Sequence, residues 1–196
     1  LEDVIQPLAD IAMALDHAHG RGVVHRDLKP SNVLLKRQVD DDGEEGPWRA
    51  VLTDFGIAKM LDATSLTTTN VIGTLNYIAP EQIRNSAKVD HRADIYSLGV
   101  MAFQMLTGRR PYVGVDPVAL MLAHLNQPAP DPRDSLPNLQ THAARAIRRA
   151  MRKEPERRFD NAMAFVDALR GDLAALDETT PSWNAPTMQT PRPDAV

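Results

Sequence analysis

The sequence predicts a mainly α fold of the α+β type, in which a helical bundle surrounds one buried central helix and carries a small β-hairpin. Amphipathic helical patterns lie near both ends of the 196-residue chain, and residues 95–106 between them are apolar on nearly every side. A helix that is apolar all round is buried all round. With 43% hydrophobic and 24% charged residues, the composition is that of an ordinary globular domain.

Net charge, cysteine content and hydropathy exclude several classes of protein. The net charge of −4 gives no general basic field that would favour nucleic acid or anionic lipid. Cysteine is absent, which removes disulfide scaffolds and thiolate metal sites and fits a reducing compartment. The longest nearly apolar run, residues 95–106, is too short to cross a bilayer. We therefore expect no nucleic-acid partner, no membrane span within these residues and a cytoplasmic location.

The first half of the chain predicts a helix, a polar loop and two strands. Apolar residues recur at three- and four-residue spacing from Val4 to Leu15, which is typical of an amphipathic helix, and the glycines that follow can end it. Residues 32–35 are predicted to form a short buried strand that pairs with residues 48–53. The acidic connection, residues 39–47, does not match a calcium-binding EF-hand loop, so we interpret it as a solvated, lengthened hairpin turn.

The second half predicts four helices. The central helix runs from about Asp90 to Gly108, and further helices are expected at residues 117–125, 139–151 and 161–176. Several arginines surround the apolar face of the third of these helices. We interpret them as a solvated helix face in preference to an anion site.

The composition changes after the last helix. From residue 177 onward the chain consists mainly of Thr, Pro and acidic residues with little apolar content, which is typical of a disordered segment. We therefore divide the chain into a folded domain, residues 1–176, and a disordered tail or linker, residues 177–196.

The polar loop carries the residues with the clearest chemistry. Within six residues it contains the carboxylate of Asp27, the ammonium group of Lys29 and the carboxamide of Asn32. Pro30 prevents a helix through this loop, because its ring fixes φ and removes an N–H. The sequence from His25 to Asn32 follows the pattern H-R-D-L-x-x-x-N, the catalytic loop of protein kinases.

Two further motifs follow in the order of the same signature. Asp54-Phe55-Gly56 comes directly after the second strand, and Ala79-Pro80-Glu81 ends a Thr-rich segment that is expected to be exposed. On these motifs the chain resembles a protein kinase over residues 1 to about 176, and the fold is expected to be that of the C-terminal lobe. Lys29 in Asp27-Leu28-Lys29-Pro30 and the Gly73-Thr74 pair look like those of serine/threonine kinases. The stretches Gly22-Val23-Val24-His25 and Asp54-Phe55-Gly56-Ile57-Ala58-Lys59 are most similar to bacterial serine/threonine kinases of the eukaryotic-like type.

The resemblance implies an ATP-dependent transfer of phosphate to Ser or Thr of protein substrates. Asp27 would accept the proton of the hydroxyl group, and Lys29 would offer its ammonium group to the γ-phosphate. Asn32 and Asp54 would hold Mg²⁺. Leu34 matches the family position that packs beneath the adenine of ATP.

The resemblance also implies structural and regulatory residues. Asp94 resembles the acid that holds the catalytic loop from the central helix, and Glu81 matches a glutamate that pairs with a late arginine, Arg158. Arg26 precedes the catalytic aspartate, which in this family usually marks regulation by phosphorylation of the activation segment. The other matching positions are His25, Phe55 and Gly56 as structural residues, Thr74 as a contact of the catalytic pair, and Thr67, Thr68 and Thr69 as phosphate acceptors, with Thr68 preferred. The alternative is that these threonines only keep a loop soluble.

Some parts of the family signature do not occur in this chain. No Gly-rich phosphate loop, no V-A-I-K lysine and no helix with its partner glutamate precede the catalytic loop. In the family they belong to the N-terminal lobe. We therefore expect a C-terminal lobe that needs its own N-terminal lobe as a partner and is inactive alone. The resemblance further suggests a homodimer for trans-autophosphorylation, and a chain that is the cytoplasmic part of a membrane-anchored receptor kinase.

Three alternatives differ in class. A pseudokinase or scaffold would be expected to have lost Asp27, Asn32 or Asp54, and none is lost. A small-molecule phosphotransferase of the related fold would generally lack the Ala-Pro-Glu motif. A metal-binding module at His17 and His19 is weaker, because residues two apart on a helix point to different faces.

Overall fold

A computed structural model describes residues 2–39, 43–54, 73–85, 87 and 89–172. The helices, in chain order, are α1 (Glu2–His19), α2 (Pro80–Arg84), α3 (Arg92–Thr107), α4 (Pro117–Asn126), α5 (Thr141–Ala150) and α6 (Ala162–Arg170). Two strands, β1 (Val33–Val39) and β2 (Glu45–Leu52), form an antiparallel sheet. The predicted mainly α fold with one small β-hairpin is confirmed.

Helix α3 is the centre of the bundle. Every residue from Ala93 to Phe103 is buried, and the helix ends where Gly108 adopts the left-handed conformation with φ 68°. Helices α1, α5 and α6 all pack against it. A Cβ atom at Gly99 would lie 2.8 Å from the Cβ of Ala150, so the close approach of α3 and α5 requires glycine at this position. The prediction of a helix buried on all sides is confirmed.

Helix α1 joins the hairpin to the last helix. Its fully buried apolar side chains include Leu8, Ile11, Ala12 and Leu15. Near its middle, the Asp10 carboxylate accepts a hydrogen bond of 2.9 Å from the backbone N–H of Ala50 in β2. Near its end, the Asp16 carboxylate accepts hydrogen bonds from the backbone N–H groups of Ala162 and Met163 at 2.8 and 3.0 Å. These N–H groups lie in the first turn of α6, where no intrahelical acceptor is available.

The hairpin differs from the prediction in burial and length. Leu34 and Leu35 are each 59% exposed, so the expectation of a buried strand was wrong. The sheet contacts α1 mainly through β2, which leaves the side chains of β1 largely uncovered. Pairing extends from Val33 opposite Leu52 to Val39 opposite Glu45, so the strands include both ends of the predicted connection, residue 39 and residues 45–47. Residues 40–42 lie outside the described residues.

Other differences concern the ends of elements. Helix α6 ends at Arg170, because Gly171 has φ 104°, whereas the sequence predicted a helix to residue 176. Leu75 and Tyr77, which lie in the segment before Glu81 that was expected to be exposed, are buried. The tail, residues 177–196, lies outside the described residues, so the division of the chain stays a prediction.

Within the described part of the chain, the structure contains no helix that is both long enough and apolar enough to cross a bilayer.

Candidate active site

The polar loop between α1 and β1 is held from α3 by Asp94. This carboxylate is 1% exposed and accepts hydrogen bonds of 2.8 Å from the backbone N–H groups of His25 and Arg26. The side chain of His19 lies 2.7 Å from the same carboxylate. Arg26 has φ 63°, a left-handed conformation that residues other than glycine rarely adopt. Asp94 therefore fixes the backbone from which the next residue, Asp27, projects.

His25 links this loop to the end of β2. Its ring is fully buried, with Nδ1 accepting from the Asp27 N–H at 3.2 Å and Nε2 2.9 Å from the carbonyl oxygen of Thr53. These partners favour the tautomer with the proton on Nε2. Thr53 in turn donates from its N–H and its hydroxyl group to the carbonyl of Asn32 at 2.9 and 3.1 Å. Asp54 follows with φ 54°, so the two loops are held as one framework.

The predicted catalytic side chains of this loop form one hydrogen-bonded cluster. Lys29 Nζ lies 3.0 Å from Asp27 Oδ2 and donates at 3.0 Å to the hydroxyl oxygen of Thr74. Asn32 Nδ2 donates to the Asp27 carbonyl at 2.9 Å and approaches Asp27 Oδ2 at 3.4 Å. The side chains of Asp27 and Lys29 are 10% and 19% exposed. The arrangement holds a carboxylate, an ammonium group and a carboxamide together at the surface of the bundle.

The remaining predicted residues divide into two groups. Asp54 is exposed at the end of β2, and Leu34 is exposed on β1. The residues that lie outside the described part of the chain are Phe55, Gly56, Thr67, Thr68 and Thr69.

A second connection joins α2 to the core. Arg158 and Glu81 form a two-pronged ion pair, with Nη1–Oε1 and Nη2–Oε2 distances of 2.5 and 2.7 Å. The Arg158 side chain is fully buried and Glu81 is 15% exposed. Arg158 also donates to the carbonyl oxygens of Arg92, Arg152 and Lys153 at 2.8, 2.8 and 3.2 Å. All three nitrogens of this guanidinium group therefore donate to acceptors.

Gln82 is a structural contact that the sequence analysis missed. Its Oε1 accepts from the Ala79 N–H at 3.0 Å, and its Nε2 donates to the carbonyl of Arg26 at 2.8 Å. It therefore ties the start of α2 to the polar loop. A glutamine at the third position of a helix is half of a capping-box signal, but the other half, a Ser or Thr at the cap, is replaced here by Ala79.

The donor set at the loop fits Mg²⁺. This ion prefers hard oxygen ligands and keeps several waters, so it needs few protein groups. Asp54 supplies a carboxylate and Asn32 a carboxamide whose nitrogen is turned toward Asp27, so its oxygen faces the other way. The described residues contain no group of three His, Cys, Asp or Glu side chains that could hold a metal ion. One carboxylate, from Asp54, and one carboxamide, from Asn32, are the groups that would hold the ion.

Beside Arg158 lies a cluster of groups with shifted pKa values. Burial, with the nearby Lys153 charge, lowers the pKa of His124 to about 3. Burial, with the charges of Arg158 and Arg84, lowers the pKa of Lys153 to about 8. Burial raises the pKa of Tyr112 to about 12. The Lys153 ammonium group donates to the His124 carbonyl at 2.6 Å and to the Tyr112 hydroxyl at 2.9 Å.

Comparisons with known proteins agree in one family. The sequence profile of the protein kinase domain matches residues 2–168. Serine/threonine-protein kinase PknJ of Mycobacterium tuberculosis, like that of Mycobacterium bovis, is 42% identical over 184 residues, which is 91% of this chain and 30% of the relative. Serine/threonine-protein kinase Pkn1 of Myxococcus xanthus is 42% identical over 173 residues, 87% of this chain and 24% of the relative. The chain thus spans less than a third of the length of these relatives.

Proposed function

Since the chain belongs to the protein kinase family, we propose that residues 1–176 are the C-terminal lobe of an ATP-dependent serine/threonine protein kinase. The reaction is transfer of the γ-phosphate of ATP to a Ser or Thr hydroxyl of a protein. The observation that carries the proposal is the cluster in which Lys29 bridges Asp27 and Thr74 at 3.0 Å each. The names of the similar proteins, all serine/threonine-protein kinases, support this class of activity.

Asp27 is the base of the proposed reaction. Its carboxylate accepts the proton of the substrate hydroxyl as the oxygen–phosphorus bond forms. The bond from the γ-phosphorus to the bridging oxygen breaks at the same centre, and ADP leaves with that oxygen. Support comes from the hydrogen bonds of His25 and Asn32 to the Asp27 main chain, because they fix the position of the base relative to the loop.

Lys29 and Thr74 position the transferred group. The Lys29 ammonium group balances negative charge on the γ-phosphate as the substrate oxygen approaches. Thr74 accepts a hydrogen bond from Lys29, so the residues that precede α2 contact the catalytic loop directly. The Glu81–Arg158 pair holds α2 to the core, which keeps Thr74 within reach of Lys29.

Asn32 and Asp54 are the residues that would hold Mg²⁺, and Leu34 would contact adenine. The metal ion, when bound, neutralises charge on the phosphates of ATP. Asp54 has a left-handed backbone conformation. It directly follows Thr53, which is hydrogen-bonded to the carbonyl of Asn32, so the two proposed Mg²⁺ ligands are connected through the backbone. The 59% exposure of Leu34 leaves an apolar surface on the hairpin, where an aromatic base can pack.

The protein's own N-terminal lobe would complete the site. Residues 1–196 contain no Gly-rich phosphate loop, so we propose that these residues alone bind ATP poorly and transfer phosphate negligibly. The exposed apolar side chains of the hairpin, which include Leu34, Leu35 and Val51, fit a surface that this lobe would cover.

Regulation would act through Arg26. We propose that a phosphate on Thr68, or on the neighbouring Thr67 or Thr69, pairs with the Arg26 side chain after trans-autophosphorylation within a homodimer. The backbone of Arg26 is held on both sides, by Asp94 and by Gln82, so pairing of its side chain would add order to the activation segment rather than move the loop.

The test is phosphate transfer from labelled ATP by the complete protein and by its Asp27→Asn form. We expect the substitution to lower the rate by a factor of about 10² to 10⁴, because general base catalysis typically contributes that much. Asp134→Asn, a change of the same type at an exposed position, is the control and should leave the rate unaltered. Phosphosite mapping of the active protein should find phosphate on Thr67, Thr68 or Thr69. If neither the unaltered protein nor Asp27→Asn transfers phosphate while both bind ATP, the protein is a pseudokinase or scaffold instead.

A further inference from the structure

A basic cleft lies at the end of α5, and none of the proposed catalytic residues lines it. Its volume is about 410 Å³, and residues 128–129, after α4, form its uncharged wall. This volume is within the range of about 300–1,000 Å³ that is usual for ligand sites. The charged residues that line the cleft are Arg145, Arg148, Arg149, Arg152, Lys153 and Glu154. Five cations therefore face one carboxylate, in a chain whose net charge is −4.

The two exposed arginines of this cleft are weakly compensated. Arg145 forms no ion pair with any described residue, and Arg148 approaches the Asp131 carboxylate only at 3.9 Å. Asp131 is already bound by Arg133, at 2.7 Å between Nη2 and Oδ2. Hydrogen bonds from Arg133 lower the pKa of Asp131 to about 2. Arg133 therefore balances most of the negative charge of Asp131, and Asp131 compensates the charge of Arg148 only weakly.

Lys153 brings a positive charge to the same cleft from beyond the end of α5. Its ammonium group is held by the His124 carbonyl and the Tyr112 hydroxyl, neither of which carries a compensating negative charge. Burial and the neighbouring charges of Arg158 and Arg84 lower the pKa of Lys153, and Glu154 opposes this only in part. Burial is the main cause of this shift, and an anion close to the ammonium group would offset part of the cost of keeping a buried cation charged.

The simpler interpretation is a solvated helix face. Cations in the last turn of a helix also interact favourably with its dipole, which would account for Arg148 and Arg149. It does not account for Arg145, which lies a turn earlier, or for Lys153, which lies beyond the helix end. These cations line one concave site together with an uncharged wall, rather than surrounding the helix evenly.

We propose that this cleft binds a phosphorylated serine or threonine side chain of a peptide segment. Guanidinium groups match phosphate oxygens with paired hydrogen bonds, and the wall at Pro128 and Ala129 offers contact to the residues beside the phosphate. The choice of phosphate over a carboxylate rests on the proposed function, because such an enzyme produces phosphoserine and phosphothreonine. The cleft would then retain a substrate that already carries one phosphate.

The cleft is also connected to the candidate active site. The carbonyl oxygens of Arg152 and Lys153 accept hydrogen bonds from Arg158, which is the partner of Glu81 in α2. A segment bound in the cleft therefore lies against the backbone that supports this ion pair.

Binding of a labelled phosphopeptide to the complete protein tests the proposal. The probe is residues 62–72 of this chain with phosphate on Thr68, because this peptide contains one acidic and no basic residue. Fluorescence anisotropy is measured with the Asp27→Asn protein, so that neither ATP nor catalysis is required. Failure of binding would overturn the cleft proposal and leave the proposed kinase activity untouched.

The decisive variant is Arg145→Ala/Arg148→Ala. We expect each of the two substitutions to weaken binding by about tenfold, because each removes a charge-assisted hydrogen bond to the phosphate, and the pair to weaken it by about a hundredfold. The matched control is Arg109→Ala/Arg170→Ala, which removes the same charge from exposed positions elsewhere and should change binding by less than about twofold. Arg145→Lys/Arg148→Lys keeps the charge without the forked geometry of the guanidinium group, so it should fall between these results.

Three results would overturn the proposal. If the unphosphorylated peptide binds with the same affinity, the protein does not recognise the phosphate. Equal weakening by the cleft and control variants would indicate general charge attraction. Competition by inorganic phosphate at the same concentration as the phosphopeptide would identify the occupant as a free ion and not a peptide segment.

Discussion

Two carboxylates hold the two sides of the candidate site, and they have different kinds of partner. Asp94 accepts hydrogen bonds from the neutral backbone N–H groups of His25 and Arg26, and the His19 ring lies 2.7 Å from it. Glu81 forms an ion pair with the fully buried guanidinium group of Arg158. The first carboxylate therefore fixes the geometry of a loop, and the second compensates a charge within the core.

This difference separates two kinds of damage. Removal of the Asp94 carboxylate would leave two unsatisfied N–H groups, each at about 1–3 kcal/mol when buried, and would release the loop that carries Asp27. Removal of the Glu81 charge would leave Arg158 with carbonyl partners only, and an uncompensated buried charge is more costly. Stability should depend more on Glu81, and catalytic geometry more on Asp94.

Glu81→Gln should give the largest decrease in stability. We expect the free energy of unfolding of the complete protein to fall by about 3–5 kcal/mol, because one partner of a buried ion pair is removed. Chemical denaturation monitored by circular dichroism measures this. Glu156→Gln, at an exposed position close to Arg158 in the sequence, should change stability by less than about 0.5 kcal/mol.

A double variant sharpens this test. Glu81→Gln/Arg158→Met removes both charges, so the decrease in stability should be smaller than the sum of the two single decreases. Strict additivity would mean that the two side chains do not stabilise each other, and the contrast with Asp94 would then fail.

Asp94→Asn should give a smaller decrease in stability and a larger decrease in rate. One amide oxygen can still accept a hydrogen bond, but the amide nitrogen must face an N–H group. We expect about 1–3 kcal/mol of destabilisation and roughly a hundredfold lower phosphate transfer, because displacement of a catalytic group by about 1 Å has that effect. Rate measurements at a temperature where the variant is folded separate the two quantities.

The control for Asp94 is Asp90→Asn, an exposed acid just before the same helix, which should retain the unaltered rate. A variant Asp94→Asn that is less stable than Glu81→Gln, yet fully active, would reverse the assignment of the two carboxylates.

Local sequence signals predicted the central helix and the grouping of the polar side chains in the loop before β1, whose catalytic roles stay a prediction. The apolar run and Gly108 defined α3, since all-round hydrophobicity and a left-handed glycine act within one element. The Asp27–Lys29–Asn32 cluster lies within six residues, so its contacts are also largely local. Such features depend little on how distant parts of the chain pack.

Features that depend on distant packing were predicted less well. Leu34 and Leu35 follow an apolar pattern typical of a buried strand, but a pattern cannot specify whether another element covers it. The contact of Gln82 with Arg26 spans 56 residues, and no local rule predicts it. The pairing of Glu81 with Arg158, 77 residues apart, was predicted only through resemblance to the kinase family.

His124, close to Arg158, should make the free energy of unfolding decrease in acid. His124 is fully buried, its Nδ1 lies 2.9 Å from the Tyr96 hydroxyl, and its ring packs edge-on against Tyr112. Burial, with the charge of Lys153, lowers its pKa from the ordinary 6.5 to about 3. Between these values the unfolded chain binds a proton that the folded chain does not. The stability is therefore fully present above pH 6.5 and is lost as the pH falls toward 3.

His124→Asn isolates this contribution, which we expect to be the smallest of the three. At pH 5.5, one unit below the unfolded pKa, protonation of His124 in the unfolded chain should remove about 1.4 kcal/mol of stability. On going from pH 7.5 to pH 5.5, the unfolding free energy of the unaltered protein should therefore decrease by about that much more than that of His124→Asn. The comparison of differences cancels the cavity left by the substitution and the titration of all other groups. Equal decreases in the two proteins would mean that His124 binds its proton as readily in the folded state as in the unfolded one. Titration of this ring would then not contribute to the pH dependence of stability.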